Sequence, residues 1–292
     1  MNWKAWISAT RPKTLSAALA PVIVASAYSF NRGGFQLWIS ICALLACLAI
    51  QIACNLFNDA IDFKKGADKD RQGPTRITQS GEASYEKVMF VAKVFLGIAV
   101  LFGIPLVVQG GLPILGLGLF SLFFTYAYTG GPFPLAYLGI ADFFVILFFG
   151  IISVGGLSYL HLAYFSPEFL ILGLQVGLLC DIMLAVNNLR DFKTDKLVGK
   201  NTLVARFGEA FGKSQIVFLV LGPFLLNYIW FLKGMYYTAL VNYILFFPGI
   251  LYCFSLIRTE VGPKINKFLP LGSLYYLSFS IFLAIGMCAD RV

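Results

Sequence analysis

Charge is the scarcest property of this chain. Only 12% of its 292 residues are Asp, Glu, Lys or Arg, against roughly a quarter in soluble domains, and mean hydropathy is +0.81. A water-soluble fold of this length has no interior that could hide 59% hydrophobic residues. Histidine is nearly missing: His161 is alone, reads as structural and excludes a histidine-built metal centre. Six cysteines (Cys42, Cys47, Cys54, Cys180, Cys253, Cys288) form no CxxC pair and all lie in apolar runs, so they read as small buried hydrophobes. Basic residues exceed acidic ones by 22 to 14, yet no basic stripe with interleaved aromatics accompanies them, which excludes nucleic acid as a partner. No cleavable signal is expected, because Met1–Thr14 is polar and aromatic without an A-x-A site.

What is abundant is long apolar sequence. Runs approaching the ~20 residues needed to cross a ~30 Å hydrocarbon core can be read at 15–30, 35–57, 88–108, 112–129, 139–159, 169–189, 215–232, 236–257 and 269–289. They are too long and too unalternating for barrel strands, and lipid leaves no other choice but helices. The expected fold is therefore all-α: a polytopic membrane protein of nine transmembrane helices. In that arrangement Lys4, Arg11, Lys13, Lys64, Lys65, Lys69, Arg71, Arg76 and Lys87 collect on one side. Arg190, Lys193, Lys196, Lys200, Arg206, Lys213, Arg258, Lys264 and Lys267 join them, and only Arg32, Lys233 and Arg291 fall opposite. The positive-inside rule then places the N-terminus and this face in the cytoplasm, in a cell inner (plasma) membrane.

Most connections are brief, but two loops on the basic side are long and acidic. The first reads N55-LFN-D59-AI-D62-FKKG and the second N187-NLR-D191-FKT-D195-KLVGK. An even number of predicted helices separates them, which suggests a parallel repeat within one domain, about 1–130 and 131–257, plus a ninth helix at 269–289. At about 100° per residue, Asn55, Asn58, Asp59 and Asp62 share an arc. Asp181, Asn188, Asp191 and Asp195 do the same on the second helix. Clustered carboxylates demand a cation, and hard oxygen donors with Asn carbonyls suit Mg²⁺ completed by phosphate. Arg71, Arg76, Arg190, Lys193 and Lys200 flank the clusters and suit a diphosphate. Below lies a membrane chamber in a chain that is 16% aromatic. A diphosphate head with a long apolar tail, a polyprenyl diphosphate, matches both environments. Phe57, Tyr126, Tyr128, Phe148 and Phe149 are candidates to face the allylic cation left when diphosphate departs.

With these motifs in hand, the chain resembles the UbiA superfamily of intramembrane aromatic prenyltransferases over essentially its full length. Asn58, Asp59 and Asp62 match the family's NDxxDxxxD motif, whose last Asp is displaced by KKGA to Asp68 or Asp70. Asp191 and Asp195 match DxxxD, and Lys200 stands at the basic position that follows. The resemblance implies that these residues hold two Mg²⁺ and the diphosphate, with Asn187 nearby. RPKTLSAALAPV, DFKKGADKD, GPTRITQSG, YTGGPFPLAYLG and NNLRDFKTDKLVGKNTLVARFG are similar to the branch that prenylates 1,4-dihydroxy-2-naphthoate in menaquinone synthesis. The implied reaction loses diphosphate and CO₂ and yields demethylmenaquinone. Another aromatic acceptor, such as 4-hydroxybenzoate, is the alternative, and a cation-coupled transporter is a more distant one. Arg11, Lys13 and Lys93 are expected to hold the acceptor carboxylate. Asp142, an intramembrane carboxylate, is expected to steer or deprotonate a ring hydroxyl. Besides lipid and the two substrates, no obligatory protein partner is implied.

Overall fold

The computed structural model describes residues 2–66, 73, 75–132, 134–197 and 199–291. Among them every regular element is helical: α1 (Trp3–Ala9), α2 (Ser16–Asn31), α3 (Leu37–Lys64), α4 (Tyr85–Ala127), α5 (Leu135–Leu138), α6 (Ala141–Leu162), α7 (Pro167–Leu197), α8 (Leu203–Phe207), α9 (Glu209–Leu232), α10 (Tyr236–Arg258) and α11 (Pro263–Ala289). Large apolar side chains cover the outside, Val108 and Leu112 being 81% exposed and Leu225 75%. Water would not tolerate such a surface, and lipid requires it.

Among the described residues seven helices are long and apolar enough to cross a membrane, or eight if α2 and the segment before it form one span bent by 46°. The sequence leads one to expect nine, and the difference lies in α2 and α4. Alone, α2 has 16 residues, about 24 Å at 1.5 Å per residue. By contrast α4 has 43 residues, about 65 Å by the same rule and twice a bilayer core. It is one element only nominally: Gly111 leaves helical geometry at φ 66°, ψ −153°, and Pro113 follows. This breakpoint stands between the two runs read separately in the sequence.

The bundle is built around α7, whose apolar window is 78% buried. Leu172, Leu179, Ile182 and Leu189 are all inaccessible, and α6, α9 and α11 pack around them. A second cluster joins Ala9 of α1, Leu56 and Ala60 of α3, Ile77 of the following loop, and Val88 and Ala92 of α4. Through it the α3–α4 pair fixes the loop that carries Arg76. One contact governs the rest: Gly150 of α6 faces Gly173 and Gly177 of α7, where an added Cβ would meet backbone atoms at 2.2–2.8 Å. Small residues let two helices approach backbone to backbone, a device frequent in membranes. Here α6 is also widened into a π-helical stretch, Ile146–Ile152, of the kind found mostly at functional sites.

Candidate functional site

The site begins where α3 outruns its apolar part. Helical geometry continues to Lys64, so the acidic motif is carried on a rigid rod. The four side chains expected on one arc divide their work. Asn55 donates to the Thr10 carbonyl (3.0 Å) and the Thr14 hydroxyl (3.1 Å). The Asp59 carboxylate accepts from the backbone N–H groups of Ile77 and Thr78 (both 3.2 Å) and from the Thr78 hydroxyl. Asp59, expected among the metal ligands, and Asn55, expected at the substrate, are thus taken up in pinning the segments that carry Arg11 and Arg76. Arg11 itself is held in the left-handed region at φ 51°, uncommon for a residue with a side chain and frequent at functional sites.

Asn58 and Asp62 receive what those arginines deliver. Arg11 donates to Asn58 Oδ1 (2.8 Å), and Arg76 to Asn58 O (2.5 Å), Asn58 Oδ1 (3.0 Å) and Asp62 Oδ2 (3.0 Å). Asn58 Nδ2 in turn donates to Asp62 Oδ2 (2.9 Å) and Thr129 Oγ1 (3.1 Å). Asp62 also accepts from the Tyr137 hydroxyl (3.0 Å) and pairs with Lys200 (3.5 Å). At 1% exposure, these donors rather than water compensate its carboxylate.

The second acidic motif stands on the end of α7. Arg190 forks onto both oxygens of Asp191 (2.8 and 2.5 Å) and donates to Asn266 Oδ1 (2.7 Å) at the start of α11. Asp195 is buried within electrostatic reach of Asp62, Asp191, Lys200 and Arg190. The two motifs thus meet at one charged end of the bundle. Asn188 is buried beside them, whereas Lys193 is exposed and lies over the Phe192 ring. Asp68, Asp70 and Arg71 lie outside the described residues.

Three contributors escape a reading of the sequence. Tyr137 binds Asp62, and its ring is flanked by the ammonium groups of Lys65 (4.5 Å) and Lys200 (5.0 Å). Burial and then the Asp62 charge push its phenol up, while burial holds the Lys65 ammonium below its usual value. Thr129 accepts from Asn58 through its hydroxyl and from Lys65 through its carbonyl (2.8 Å). Gly139 closes the segment at φ 75°, where a Cβ would lie 2.2 Å from the Asn201 carbonyl oxygen. Only glycine permits both that turn and that approach, which seats α5 against the loop holding Lys200.

Two kinds of space adjoin the charged end. A cavity of about 350 Å³ that carries charged groups is lined by Arg11, Lys13, Asp59, Arg76, Asn187 and Arg190, among others. An apolar chamber of about 110 Å³ is lined by Cys54, Phe124, Tyr128, Phe144, Phe148 and Phe149, among others. It shares Cys47, Ile50, Ser121 and Ser153 with an apolar groove of about 380 Å³ bounded also by Ile104 and Leu119, which are 56% and 60% exposed. The chamber therefore opens sideways towards lipid. Tyr128 lies within electrostatic reach of Asp62, which places the chamber next to the acidic motif. Of the rings singled out in the sequence, Tyr128, Phe148 and Phe149 line it, and Phe57 packs edge-on against Tyr126 at 5.5 Å instead. Lys93 is exposed on α4 and lines neither space, so the fold does not bring it to the site. Asp142 is buried next to the chamber wall and accepts from Gln215 (2.6 Å).

Among the described residues no three His, Cys, Asp or Glu side chains converge as a ready ligand set; Arg76, Lys200 and Arg190 hold the carboxylate oxygens. The donors are nonetheless all hard oxygens from Asn58, Asp62, Asp191 and Asp195, with no thiolate or imidazole among them. That chemistry fits Mg²⁺ carrying phosphate oxygens.

A family model described as the UbiA prenyltransferase family matches residues 18–285. A 1,4-dihydroxy-2-naphthoate octaprenyltransferase of Escherichia coli (strain K12) is 35% identical over 226 residues, covering 75% of this chain and 73% of its own. A protein of the same name from Haemophilus influenzae is 35% identical over 219 residues, covering 72% and 71%. Among solved structures, a UbiA homolog from Archaeoglobus fulgidus bound to GPP and Mg²⁺ shares the fold with a TM-score of 0.69 at 15% identity, over 98% of this chain and 99% of that one.

Proposed function

The chain belongs to the UbiA prenyltransferase family, and on that footing we propose that it moves a polyprenyl group from polyprenyl diphosphate onto 1,4-dihydroxy-2-naphthoate. Diphosphate and CO₂ leave, and the product is the quinol form of demethylmenaquinone. The observation that carries this reading is the adjoining of two environments. An end built from Asp62, Asp191, Asp195 and four cationic side chains borders an aromatic chamber that opens to lipid. Few ligands other than an amphiphilic diphosphate need both.

Asn58, Asp62, Asp191 and Asp195, with Asp68 or Asp70 completing the set, would hold two Mg²⁺, which would supply positive charge to the diphosphate. Arg11, Arg76, Arg190 and Lys200 direct N–H donors at the space where charge grows as the C–O bond breaks, the kind of preorganised stabilisation that usually lowers a barrier most. Asn187, in the wall of the adjoining cavity, and Asn188 serve the same head group, and Arg71 is assigned to it from the sequence alone. Tyr137 keeps Asp62 oriented, and the Asn55 and Asp59 bonds keep the arginines in place. Tyr128, Phe124, Phe144, Phe148 and Phe149 present ring faces to the allylic cation and keep water from capturing it. Arg11 and Lys13, in the cavity of about 350 Å³, receive the acceptor carboxylate.

Counting α4 as two spans divided at Gly111 and α2 as one gives nine crossings, in two parallel four-helix halves and a ninth. The basic excess then faces the cytoplasm of an inner (plasma) membrane. Membranes containing the protein, given Mg²⁺, geranylgeranyl diphosphate and either 1,4-dihydroxy-2-naphthoate or 4-hydroxybenzoate, are expected to prenylate the naphthoate. Product from 4-hydroxybenzoate alone would refute the acceptor assignment.

A further inference from the structure

Asp142 and Asp181 are carboxylates that the charged end leaves unused, and the glycine contact brings them together. α6 and α7 run antiparallel across a short turn. Gly150 meets Gly173, and four residues away Ile146 meets Gly177, where a Cβ would lie 2.6 Å from the Ile146 carbonyl oxygen. The next such step places Asp142 against Asp181, and their side chains lie within hydrogen-bonding reach. Asp181 is 0% exposed and Asp142 5%. Gln215 of α9 donates to Asp142 Oδ1. Asp142 Oδ2 and both oxygens of Asp181 receive no hydrogen from any described N–H or O–H group. Two bare carboxylates in contact repel each other in a dry interior, so a hydroxyl proton delivered to either member of the pair would be shared by both. The other groups that act on it, Tyr128 and Cys180, bring no positive charge.

The pair also borders the chamber. Val145, one turn along α6 from Asp142, lines the chamber, as does Phe149. Tyr128, which also lines it, is within electrostatic reach of Asp142, Asp181 and Asp62 alike. The reacting space is therefore bracketed by the diphosphate end on one side and an unsatisfied acid pair on the other.

We propose that Asp142 binds a ring hydroxyl of the acceptor, takes up its proton during transfer and returns it afterwards, with Asp181 as the positioning residue that keeps it competent. This role rests on the prenyl-transfer reading above. As the ring carbon bearing the carboxylate bonds to the allylic carbon, the C–O bond to diphosphate breaks and the hydroxyl proton passes to Asp142. A ring ketone is left beside a quaternary carbon, the arrangement of a β-keto acid. The carboxylate departs as CO₂, its bonding pair restores the aromatic ring, and the oxygen recovers the proton from Asp142. No proton is gained or lost overall, so the buried pair needs no exchange with water during turnover.

The test uses the full-length protein with Mg²⁺, geranylgeranyl diphosphate and 1,4-dihydroxy-2-naphthoate, comparing Asp142→Asn, Asp142→Glu and Asp181→Asn with wild type. Asn keeps the shape but takes no proton. Asp142→Asn is expected to lower kcat by roughly 10²–10⁴-fold, the usual worth of a general base. Asp181→Asn should lower it less, and Asp142→Glu should recover part of what Asn loses. Binding of the unreactive geranylgeranyl thiodiphosphate with Mg²⁺ should stay within about threefold of wild type in all three, since no ground-state contact to the head group is removed. Asn variants with wild-type kcat would overturn the role. Loss of thiodiphosphate binding in step with kcat would also overturn it, by showing that the pair only holds the fold. Wild type giving no prenylated naphthoate would overturn the acceptor reading and this role together.

Discussion

Asp62→Asn is expected to lower Mg²⁺-dependent transfer by at least roughly 10²–10³-fold, the effect of removing one preorganised charge partner from a transition state. Asp62 is the residue through which the halves of the site communicate. Its Oδ2 takes Arg76, Asn58 and Lys200, and its Oδ1 takes Tyr137. The Asn side chain retains one acceptor oxygen but no charge, so Arg76 and Lys200 would face each other without the anion between them. The check is turnover against Mg²⁺ concentration in purified protein. A rate within a few-fold of wild type at ordinary Mg²⁺ would refute the assignment of Asp62 to the ion and its diphosphate.

Arg76→Ala should be the most destabilising change at the charged end when Mg²⁺ is absent. Arg76 and Asp62 are 6% and 1% exposed in their ion pair. Removing one partner of a buried pair costs about 3–5 kcal/mol because the other charge is left uncompensated. The Asn58 carbonyl would lose its charged donor as well. Mg²⁺ with a prenyl diphosphate should restore part of that stability, since a cation would again meet the Asp62 oxygens, while turnover stays low because the leaving group has lost a donor. Thermal unfolding with and without both ligands measures this. A variant as stable as wild type without ligand, or one that ligand fails to stabilise, would contradict the account of Arg76 as both counter-ion and diphosphate donor.

Much of this architecture is legible from composition and spacing, and the exceptions have physical causes. Helical periodicity places Asn55, Asn58, Asp59 and Asp62 on one arc, and the helix does continue through them. Periodicity says nothing of a loop some twenty residues on whose backbone N–H groups claim Asp59. Lys93 fails to reach the site because α4 is apolar all round, so its sequence cannot say which face meets lipid. Tyr137 lies within YTGGPFPLAYLG, but one tyrosine among fourteen carries no signal until its hydroxyl is seen on Asp62. The Gly173–Gly177 pair is a G-x-x-x-G pattern in plain view. Its consequence, a carboxylate from each of two helices meeting within the bilayer, appears only once the register with Gly150 is known. The break at Gly111 shows why two short apolar runs and one long helix are both fair descriptions of α4.

On the proposed reading, this protein couples prenyl transfer to loss of the acceptor's carboxylate, at a site that needs Mg²⁺. The most direct measurement follows diphosphate and CO₂ released from carboxyl-labelled 1,4-dihydroxy-2-naphthoate and geranylgeranyl diphosphate, with Mg²⁺ and again with excess EDTA. Equal amounts of diphosphate, CO₂ and prenylated product are expected with Mg²⁺, and none of the three with EDTA. Product that retains its carboxylate, or turnover that survives EDTA, would contradict the account.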